Sequence, residues 1–450
     1  MEAIRDERPA VVTARLSPLG ALREFRRDAL GLLERLSELG DVVRVWIPRG
    51  DAYLLNHPDL VREVLVTRHR AFRKGPTVEA SKMLLGDSLL TTEGERHRRQ
   101  RRLIQPVFHR EHIAGYVDTM VRLAEEAAAR WEDGATPDVH AEMASLTLAV
   151  VTETLFGARR DDRRGATVTR ALTDLLGMFD RAYSPAFRLL VRLPTPAMRR
   201  FRRIEAELNT IVGGLIAERR EAGASGDDVV SLLLRARDDD VGMTDAEVRD
   251  QALTLFLAGH ETTANALTWT WWLLSMNPDV EARLQEELET ALGDRPVRAR
   301  DLERLGYVEW VLSEAIRLRP PAWAIGRRAT ADAEIGGVPI EAGSVVVVSP
   351  WLLHHDPRWW GDPEVFRPER WAPEESATRR RDVFLPFGAG PRRCVGEPFA
   401  WMEAVLLLST IARRWRFRPA AEPPELQAVV TLRPRHGLPM VAERRARPAG

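Results

Sequence analysis

The sequence predicts a mainly α-helical protein with a smaller β portion. Apolar residues recur with helical periodicity over most of the stretch from His57 to Pro320. Short runs rich in β-branched residues, separated by glycines, follow that stretch, and strand patterns also occur near the two ends of the chain. We therefore expect one large helical body whose β portion is split between the ends of the sequence.

The first predicted elements are an amphipathic helix at 22–39 and a hairpin with strands at 41–48 and 52–55. Two helix starts in the body that follows are well marked. Thr244 and Glu247 have the spacing of a capping box, and Pro278 suits a first-turn position. The predicted helices of this body are 58–67, 98–108, 113–131, 141–156, 164–179, 196–222, 228–236, 244–276, 278–292 and 307–318.

After Pro320 the sequence predicts β runs at 333–340 and 344–349, a loop-rich segment, a cysteine-containing loop and a last helix that ends at Trp415. Strand-like residues then lie around 429–432. We expect a single domain over 1–450, with a β-rich part at 41–56, 321–350 and 416–441, a helical body at 57–320 and 394–415, and flexible tails at 1–14 and 442–450.

Composition excludes several classes of protein. The 66 Lys and Arg residues balance 66 Asp and Glu residues, which argues against a nucleic-acid binder held by bulk positive charge. The most apolar stretch, 252–276, is interrupted by His260, Glu261 and Asn265, which would be costly in lipid. With one cysteine and no signal peptide, we expect a cytoplasmic protein without a membrane anchor.

The only cysteine, Cys394, lies in a glycine-rich loop that runs from Phe387 to Gly396 and leads into an apolar helix. With no second cysteine, the chain can form neither an internal disulfide nor a zinc site made of cysteines alone. The helix N-terminus and the neighbouring Arg392 and Arg393 favour the thiolate over the thiol. From these residues alone, the sulfur can be a metal ligand, a nucleophile or a buried spectator.

The long helix predicted at 244–276 contains an unusual segment, Ala258-Gly259-His260-Glu261-Thr262-Thr263. A glycine inside a helix costs about 1 kcal/mol relative to alanine, and an unpaired buried Glu261 would cost more. Thr262 can donate to the carbonyl of Ala258 and open the helix locally. The segment indicates either a ligand site or a helix kink with a solvated glutamate.

Two further patterns are weak when taken singly. Glu314 and Arg317 stand three residues apart on one helix face, where they can pair, and Arg370 could complete a charge network with them. His97 and Arg101 are four residues apart and could face an anion together, although a solvated basic helix face would have the same pattern.

Together, these motifs resemble the cytochrome P-450 family in their spacing and chain order. They are Phe387-x-x-Gly390-x-Arg392-x-Cys394-x-Gly396, Ala258-Gly259-x-Glu261-Thr262-Thr263, Glu314-x-x-Arg317, Pro368-Glu369-Arg370 and His97-x-x-x-Arg101. The resemblance covers nearly the whole chain. It implies the cytochrome P-450 fold, with a haem between the long central helix and the cysteine-loop helix.

The resemblance also implies a role for each matching residue. Cys394 would be the metal ligand, the proximal thiolate on the iron of haem b, where it favours cleavage of the O–O bond. Glu314, Arg317 and Arg370 would form a structural network beneath the haem. The other expected haem-binding residues are His97, Arg101, Ala258, Arg327, Phe387, Gly388, Arg392, Gly396 and Ala400.

On the opposite face of the haem, the resemblance makes Glu261 and Thr262 the catalytic pair of acid and alcohol that delivers protons. Peroxide-using relatives normally lack this pair, so its presence favours O2 and two electrons. Those electrons would come from NAD(P)H through a ferredoxin or flavodoxin with its reductase, because the chain has no flavin or iron–sulfur module. Arg98, Arg99, Arg102 and Arg393 could dock that partner, and we expect a monomer.

The substrate predicted by the resemblance is an apolar small molecule such as a terpenoid or another secondary metabolite, with hydroxylation as the default reaction. Oxidative ring closure and C–N or C–C coupling remain alternatives. So do a cysteine hydrolase using His354, His355 or His436, and a non-catalytic haem- or ligand-binding relative. The expected pocket residues are Met83, Leu84, Leu85, Leu255, Trp323, Ile325 and Val430.

Overall fold

The structure is a computed structural model that describes residues 11–14, 17–47, 50–157 and 195–445. The helix predicted at 164–179 lies outside these residues, as do the outer parts of both predicted tails. The helices are α1 (Pro18–Arg27), α2 (Ala29–Ser37), α3 (Pro58–Arg62), α4 (Pro76–Leu85), α5 (Gly94–Ile104), α6 (Arg110–Ala114), α7 (Val117–Ala128), α8 (Val139–Phe156), α9 (Pro196–Glu221), α10 (Val229–Arg235), α11 (Asp245–Met276), α12 (Pro278–Leu292), α13 (Gly306–Leu318), α14 (Pro350–His355), α15 (Pro373–Thr378) and α16 (Glu397–Ala412).

Short strands make up the β portion. They are β1 (Val11–Thr13), β2 (Val42–Ile47), β3 (Gly50–Leu55), β4 (Phe72–Lys74), β5 (Arg237–Asp238), β6 (Val241–Gly242), β7 (Ile325–Ala329), β8 (Ala333–Ile335), β9 (Val338–Ile340), β10 (Val345–Val348), β11 (Trp415–Pro419), β12 (Leu426–Ala428), β13 (Leu432–Pro434) and β14 (Met440–Arg444). The prediction of a mainly helical protein with a smaller β portion is confirmed.

Several predicted elements differ from the observed ones. The single helix predicted at 22–39 is two helices, because Asp28 leaves the helical conformation and its side chain caps α2 by accepting from the N–H of Gly31 at 2.9 Å. The helix predicted at 113–131 is likewise divided, into α6 and α7. The predicted capping box at Thr244 and Glu247 is confirmed at the start of α11.

Both predicted flexible tails overlap strands in the described residues. β1 pairs in parallel with β2, and β14 pairs antiparallel with β11. In each case backbone hydrogen bonds to a neighbouring strand hold these residues in place. The sequence of these residues contains no marked signal of a turn or helix. The position of a residue near one end of the sequence does not by itself show whether that residue pairs in a sheet.

The chain divides into two compact units. The first comprises 1–79, 317–365 and 373–394, and it contains a six-stranded sheet in the order β1-β2-β3-β10-β7-β4. β2 and β3 form the predicted hairpin, with Val42 opposite Leu55. An apolar cluster that includes Val42, Leu55, Val346 and Val348 is buried in this unit.

The second unit comprises 80–316, 366–372 and 395–450 and contains most of the helices. The long helix α11 packs along α8, and α16 packs on α7. Thr147 of α8 donates to the carbonyl of His260 in α11 at 3.0 Å. The indole of Trp271 meets the ring of Phe417 edge to face, with centroids 5.0 Å apart. α11 is therefore buried over most of its length.

The carboxylate of Glu314, near the end of α13, is fully buried in the second unit. It accepts from Arg370 Nε at 2.7 Å, from Trp371 Nε1 at 2.9 Å and from the backbone N–H of Arg367 at 3.1 Å. The predicted pairing of Glu314 with Arg370 is confirmed. Because three donors share one desolvated carboxylate, this loop is fixed against α13.

Arg370→Ala is expected to destabilise the protein by about 3–5 kcal/mol, because it removes a charged donor from the buried Glu314 carboxylate. Arg283→Ala is the matched control, since the Arg283 side chain is 53% exposed in its ion pair with Glu369 and should cost no more than about 1 kcal/mol. Guanidinium unfolding of both variants measures the difference. Equal losses would contradict a special role for the buried pair.

Candidate active site

The cysteine loop of the first unit is closed by a backbone hydrogen bond. The N–H of Cys394 donates to the carbonyl of Phe387 at 3.0 Å, and the cysteine is exposed. α16 begins three residues later at Glu397, after Gly396 as its N-cap residue. A thiol held at the start of a helix lies where the helix dipole favours the thiolate.

Gly390 has no tolerated replacement in this loop. Its φ is +70°, and a Cβ atom there would lie 2.1 Å from the carbonyl oxygen of Leu65. The loop therefore packs directly on the π-helical segment Glu63–Thr67. Arg392 anchors the same side of the loop by donating to the carbonyls of His69 at 3.1 Å and Phe72 at 2.8 Å.

His354 fixes the entrance of the loop, and the sequence pattern did not single it out for this. Its Nε2 accepts from the N–H of Leu385 at 2.9 Å, and its carbonyl accepts from Arg317 at 2.8 Å. Burial holds the pKa of His354 well below its usual range, so the ring is neutral. A nitrogen already used as a backbone acceptor is not a general base for Cys394, which weakens the cysteine-hydrolase alternative.

In the part of the second unit that the structure describes, one stripe along α11 remains wholly or partly exposed. Every residue from Thr263 to Ser275 is buried, whereas Ala258 is exposed and Leu255, Gly259 and Thr262 are partly exposed. These four residues follow the spacing of a single helix face. The Thr262 hydroxyl donates to the carbonyl of Ala258 at 2.8 Å, which confirms the predicted local bond.

Glu261 does not point into solvent. Its Oε1 accepts from the hydroxyl of Thr431 at 2.6 Å, and Arg433 Nη1 lies 3.7 Å from the same oxygen. Both partners come from the C-terminal hairpin formed by β12 and β13 and the residues between them. Sequence reasoning missed this contact, because 170 positions separate Thr431 from Glu261.

Two other groups beside the stripe are buried and neutral. His260 packs near the ring of Phe256, and burial lowers its pKa to about 4, as suits a packing residue. Glu403 of α16 is fully buried, and burial raises the pKa of its carboxyl to about 8. The hydroxyl of Thr263 faces Glu403 but donates to the carbonyl of Gly259 at 3.3 Å. The only sequence signal for Glu403 is a carboxyl in the middle of an apolar helix.

The predicted anion-binding pair lies on α5. His97 is buried and Arg101 is partly exposed, one helical turn apart. The arginines around them are engaged within the unit. Arg99 pairs with Glu247 at 3.1 Å and Arg102 with Asp238 at 2.7 Å, so both of these expected docking cations already have acidic partners within the unit. The acids that neutralise them are distant in sequence.

The predicted pocket residues differ in exposure. Met83 is 42% exposed, and Leu255, Ile325 and Val430 are partly exposed. Leu85 and Trp323 instead pack as core residues, with Trp323 against the ring of Phe25 at a centroid distance of 6.0 Å. They offer little surface to a ligand, because neighbouring apolar groups already cover them. The side chain of Leu84 lies outside the described residues.

The residues described in each unit have side chains that suit a haem. A single exposed cysteine suits a thiolate ligand of haem iron, and cysteine is otherwise among the most buried residue types. On α11, the uncovered Ala258 and Gly259 carry the smallest side chains, as a flat ring system close to a helix requires. Arg327 of β7 is buried, and its Nη1 donates to the carbonyl of Gly326 at 3.0 Å, so a cation is held rigidly there.

None of the helices in the described ranges is long and apolar enough to cross a membrane. Comparison with known proteins matches residues 19–439 to the family model for cytochrome P450. Cyclooctatin synthase from Streptomyces melanosporofaciens is 40% identical, over 93% of this chain and 92% of its own. Cyclooctat-9-en-7-ol 5-monooxygenase from the same organism is 40% identical, over 89% and 88%.

Pentalenene oxygenase from Streptomyces avermitilis is 36% identical, over 88% of this chain and 89% of its own. These relatives match along almost the whole chain, as the family model does. Their full-length similarity covers Cys394, the stripe of α11 and the Glu314 network together. The chain therefore belongs to the cytochrome P450 family and is a haem-dependent monooxygenase.

Proposed function

We propose that this enzyme hydroxylates an apolar terpenoid with O2, using haem b held by Cys394. The observation that carries the proposal is the lone cysteine, exposed at the start of α16 in a loop that leaves no room for a side chain at Gly390. When bound, the haem supplies oxygen activation and the oxidation itself. The protein supplies the ligand, the substrate surface and the protons.

Support for the substrate class comes from two directions. The relatives are named for the oxidation of cyclooctat-9-en-7-ol and pentalenene, which belong to terpenoid metabolism. In this chain the candidate pocket residues that remain exposed are Met83, Leu255, Ile325 and Val430, and none of them carries a charge. An apolar surface of this kind gains free energy by removing a hydrocarbon from water.

Each of the expected site residues has its own role in the proposed reaction. The Cys394 thiolate would ligate the iron, and the apolar surroundings of the ring would be formed by Phe387, Gly388, Gly396, Ala258 and Ala400. His97, Arg101, Arg327 and Arg392 would donate hydrogen bonds to its carboxylates. Thr262 Oγ1 holds a proton beside the reacting oxygen, and the Glu261 carboxyl replaces that proton from water.

Electrons reach this enzyme from NAD(P)H through a separate ferredoxin or flavodoxin with its reductase. Arg98 and Arg393 are the main proposed docking cations, and Arg99 and Arg102 already pair with acids within the protein. Arg98 itself pairs with Glu95, but both side chains are exposed, so a partner can compete for it. We propose that the enzyme works as a cytoplasmic monomer.

Cys394→Ala is expected to abolish the strongly red-shifted Soret band that the reduced protein gives under carbon monoxide, because that band reports thiolate ligation of the iron. Cys394→His is the matched control, since imidazole can ligate iron without being a thiolate. It should retain haem but not the shifted band. A normal band in either variant would contradict the assignment of Cys394.

Thr262→Ala is expected to lower product formed per NAD(P)H consumed by about tenfold, with the missing electrons recovered as hydrogen peroxide. The reason is that the proton held on Oγ1 is lost while electron delivery continues. Thr262→Ser keeps the hydroxyl and should restore most of the yield. Unchanged coupling in Thr262→Ala would mean that protons arrive by another route.

The substrate class can be tested by titrating the ferric enzyme with matched compounds and recording the shift of the Soret band. Cyclic terpene hydrocarbons and their mono-alcohols should bind, because the exposed pocket residues are apolar. Terpenoid carboxylates of the same skeleton should bind at least about tenfold more weakly, since their charge would be desolvated without a partner. Preferential binding of the carboxylates would contradict the proposed class.

A further inference from the structure

Three residues of α11 bond to consecutive residues of the C-terminal hairpin. Glu261, Asn265 and Trp269 lie four residues apart, which places them in one row along the helix. Glu261 accepts from Thr431 at 2.6 Å, Asn265 Nδ2 donates to Thr431 Oγ1 at 3.0 Å, and Trp269 Nε1 donates to the carbonyl of Leu432 at 3.0 Å. The hairpin is thus attached to the helix over two turns.

The hydrogen bonds that run from His140 through Asn265 and Thr431 to Glu261 all have the same direction. His140 Nε2 lies 3.1 Å from Asn265 Oδ1, and burial lowers the pKa of His140, so the ring is neutral and can donate from Nε2. Asn265 then donates to Thr431, which leaves the hydroxyl proton of Thr431 to be donated to Glu261. Each group accepts from one neighbour and donates to the next.

Burial makes this direction hard to reverse. Asn265 has no exposed surface and Thr431 is only 6% exposed, so water cannot easily replace a broken bond. The carboxylate at the end of the row is 21% exposed, and Arg433 approaches the same oxygen at 3.7 Å. The acid is therefore partly solvated, whereas Asn265 and Thr431 are buried.

A hydrogen bond that served only to attach the hairpin would not need Glu261 as its acceptor. The hairpin is already fixed by Trp269 and Asn265, whereas the contact of Thr431 with Glu261 orients a side chain that has three rotatable bonds. An acid that exchanges protons gains from being held in one geometry, because each misplaced rotamer delays the transfer.

We propose that Thr431 is a positioning residue, whose hydroxyl, oriented by Asn265 and His140, holds the Glu261 carboxylate in the geometry from which it supplies protons. The inference rests on the proposed role of Glu261 as the acid. It assigns to the C-terminal hairpin a part in oxygen chemistry in addition to lining the pocket.

Thr431→Val keeps the shape of the side chain and removes the hydroxyl. In the haem-loaded enzyme, it is expected to lower product per NAD(P)H by about fivefold, while the rate of NAD(P)H consumption and the substrate KM stay within about twofold. Thr431→Ser should restore the yield. Thr268→Val is the matched control, since Thr268 is a buried threonine of the same helix that donates to the carbonyl of Ala264.

A second measurement does not depend on turnover. In thermal unfolding of the holoprotein, the losses of melting temperature caused by Thr431→Val and Glu261→Gln should not add in the double variant, because both remove the same contact. Additive losses would overturn the proposed contact. If Thr431→Val does not accumulate as folded protein, Thr431→Ala is used in both experiments.

The outcomes separate this inference from the proposed function. Uncoupling by Glu261→Gln together with full coupling in Thr431→Val would leave the role of the acid intact and overturn the positioning role of Thr431. Full coupling in Glu261→Gln would overturn the role of the acid itself. A higher product yield in Thr431→Val would also overturn the proposal, since it would mean that the hydroxyl restrains the acid in an unproductive position.

Discussion

The burial of one carboxylate, Glu314, is the constraint on which much of this structure depends. A desolvated charge is tolerated only when its partners are rigid, and Glu314 has a guanidinium, an indole N–H and a backbone N–H within 3.1 Å. Arg317, one turn further along α13, is also fully buried and binds the carbonyl of His354, whose ring receives the N–H of Leu385 at the entrance of the cysteine loop. Buried polar groups thus fix the position of the loop that carries the exposed Cys394.

The site residues show what spacing can and cannot predict. The pairing of Glu314 with Arg370 and the bond from Thr262 to Ala258 were predictable, because one follows from a motif of known chain order and the other from helix geometry. The partners of Glu261 were not predictable. They come from the end of the chain, and no local pattern around Thr431 or Arg433 indicates which side chain they will meet. Burial of His354 and Glu403 depends on packing in the same way.

The fold shows the same division between local and distant causes. The capping box fixed the start of α11, whereas Asp28 ended a helix that apolar periodicity alone would have continued. The charge on a helix face depends on distant residues in the same way. A row of arginines on α5 has the sequence of a free basic face, yet Glu247 and Asp238 approach two of its members from positions more than a hundred residues away. Counting charges along a helix therefore overstates the field that a partner would meet.

Thr431 stands between Val430, which is partly exposed, and Leu432, whose carbonyl is fastened to Trp269. Under the proposals made for Val430 and Thr431, neighbouring residues of one short connection would serve two purposes, contact with the substrate and orientation of the acid. Such a connection would limit how the enzyme can acquire new substrates. Substitutions that reshape this connection for a new substrate would also change the amount of product formed per O2 and NAD(P)H consumed. Selection for a new substrate would therefore act on both properties together.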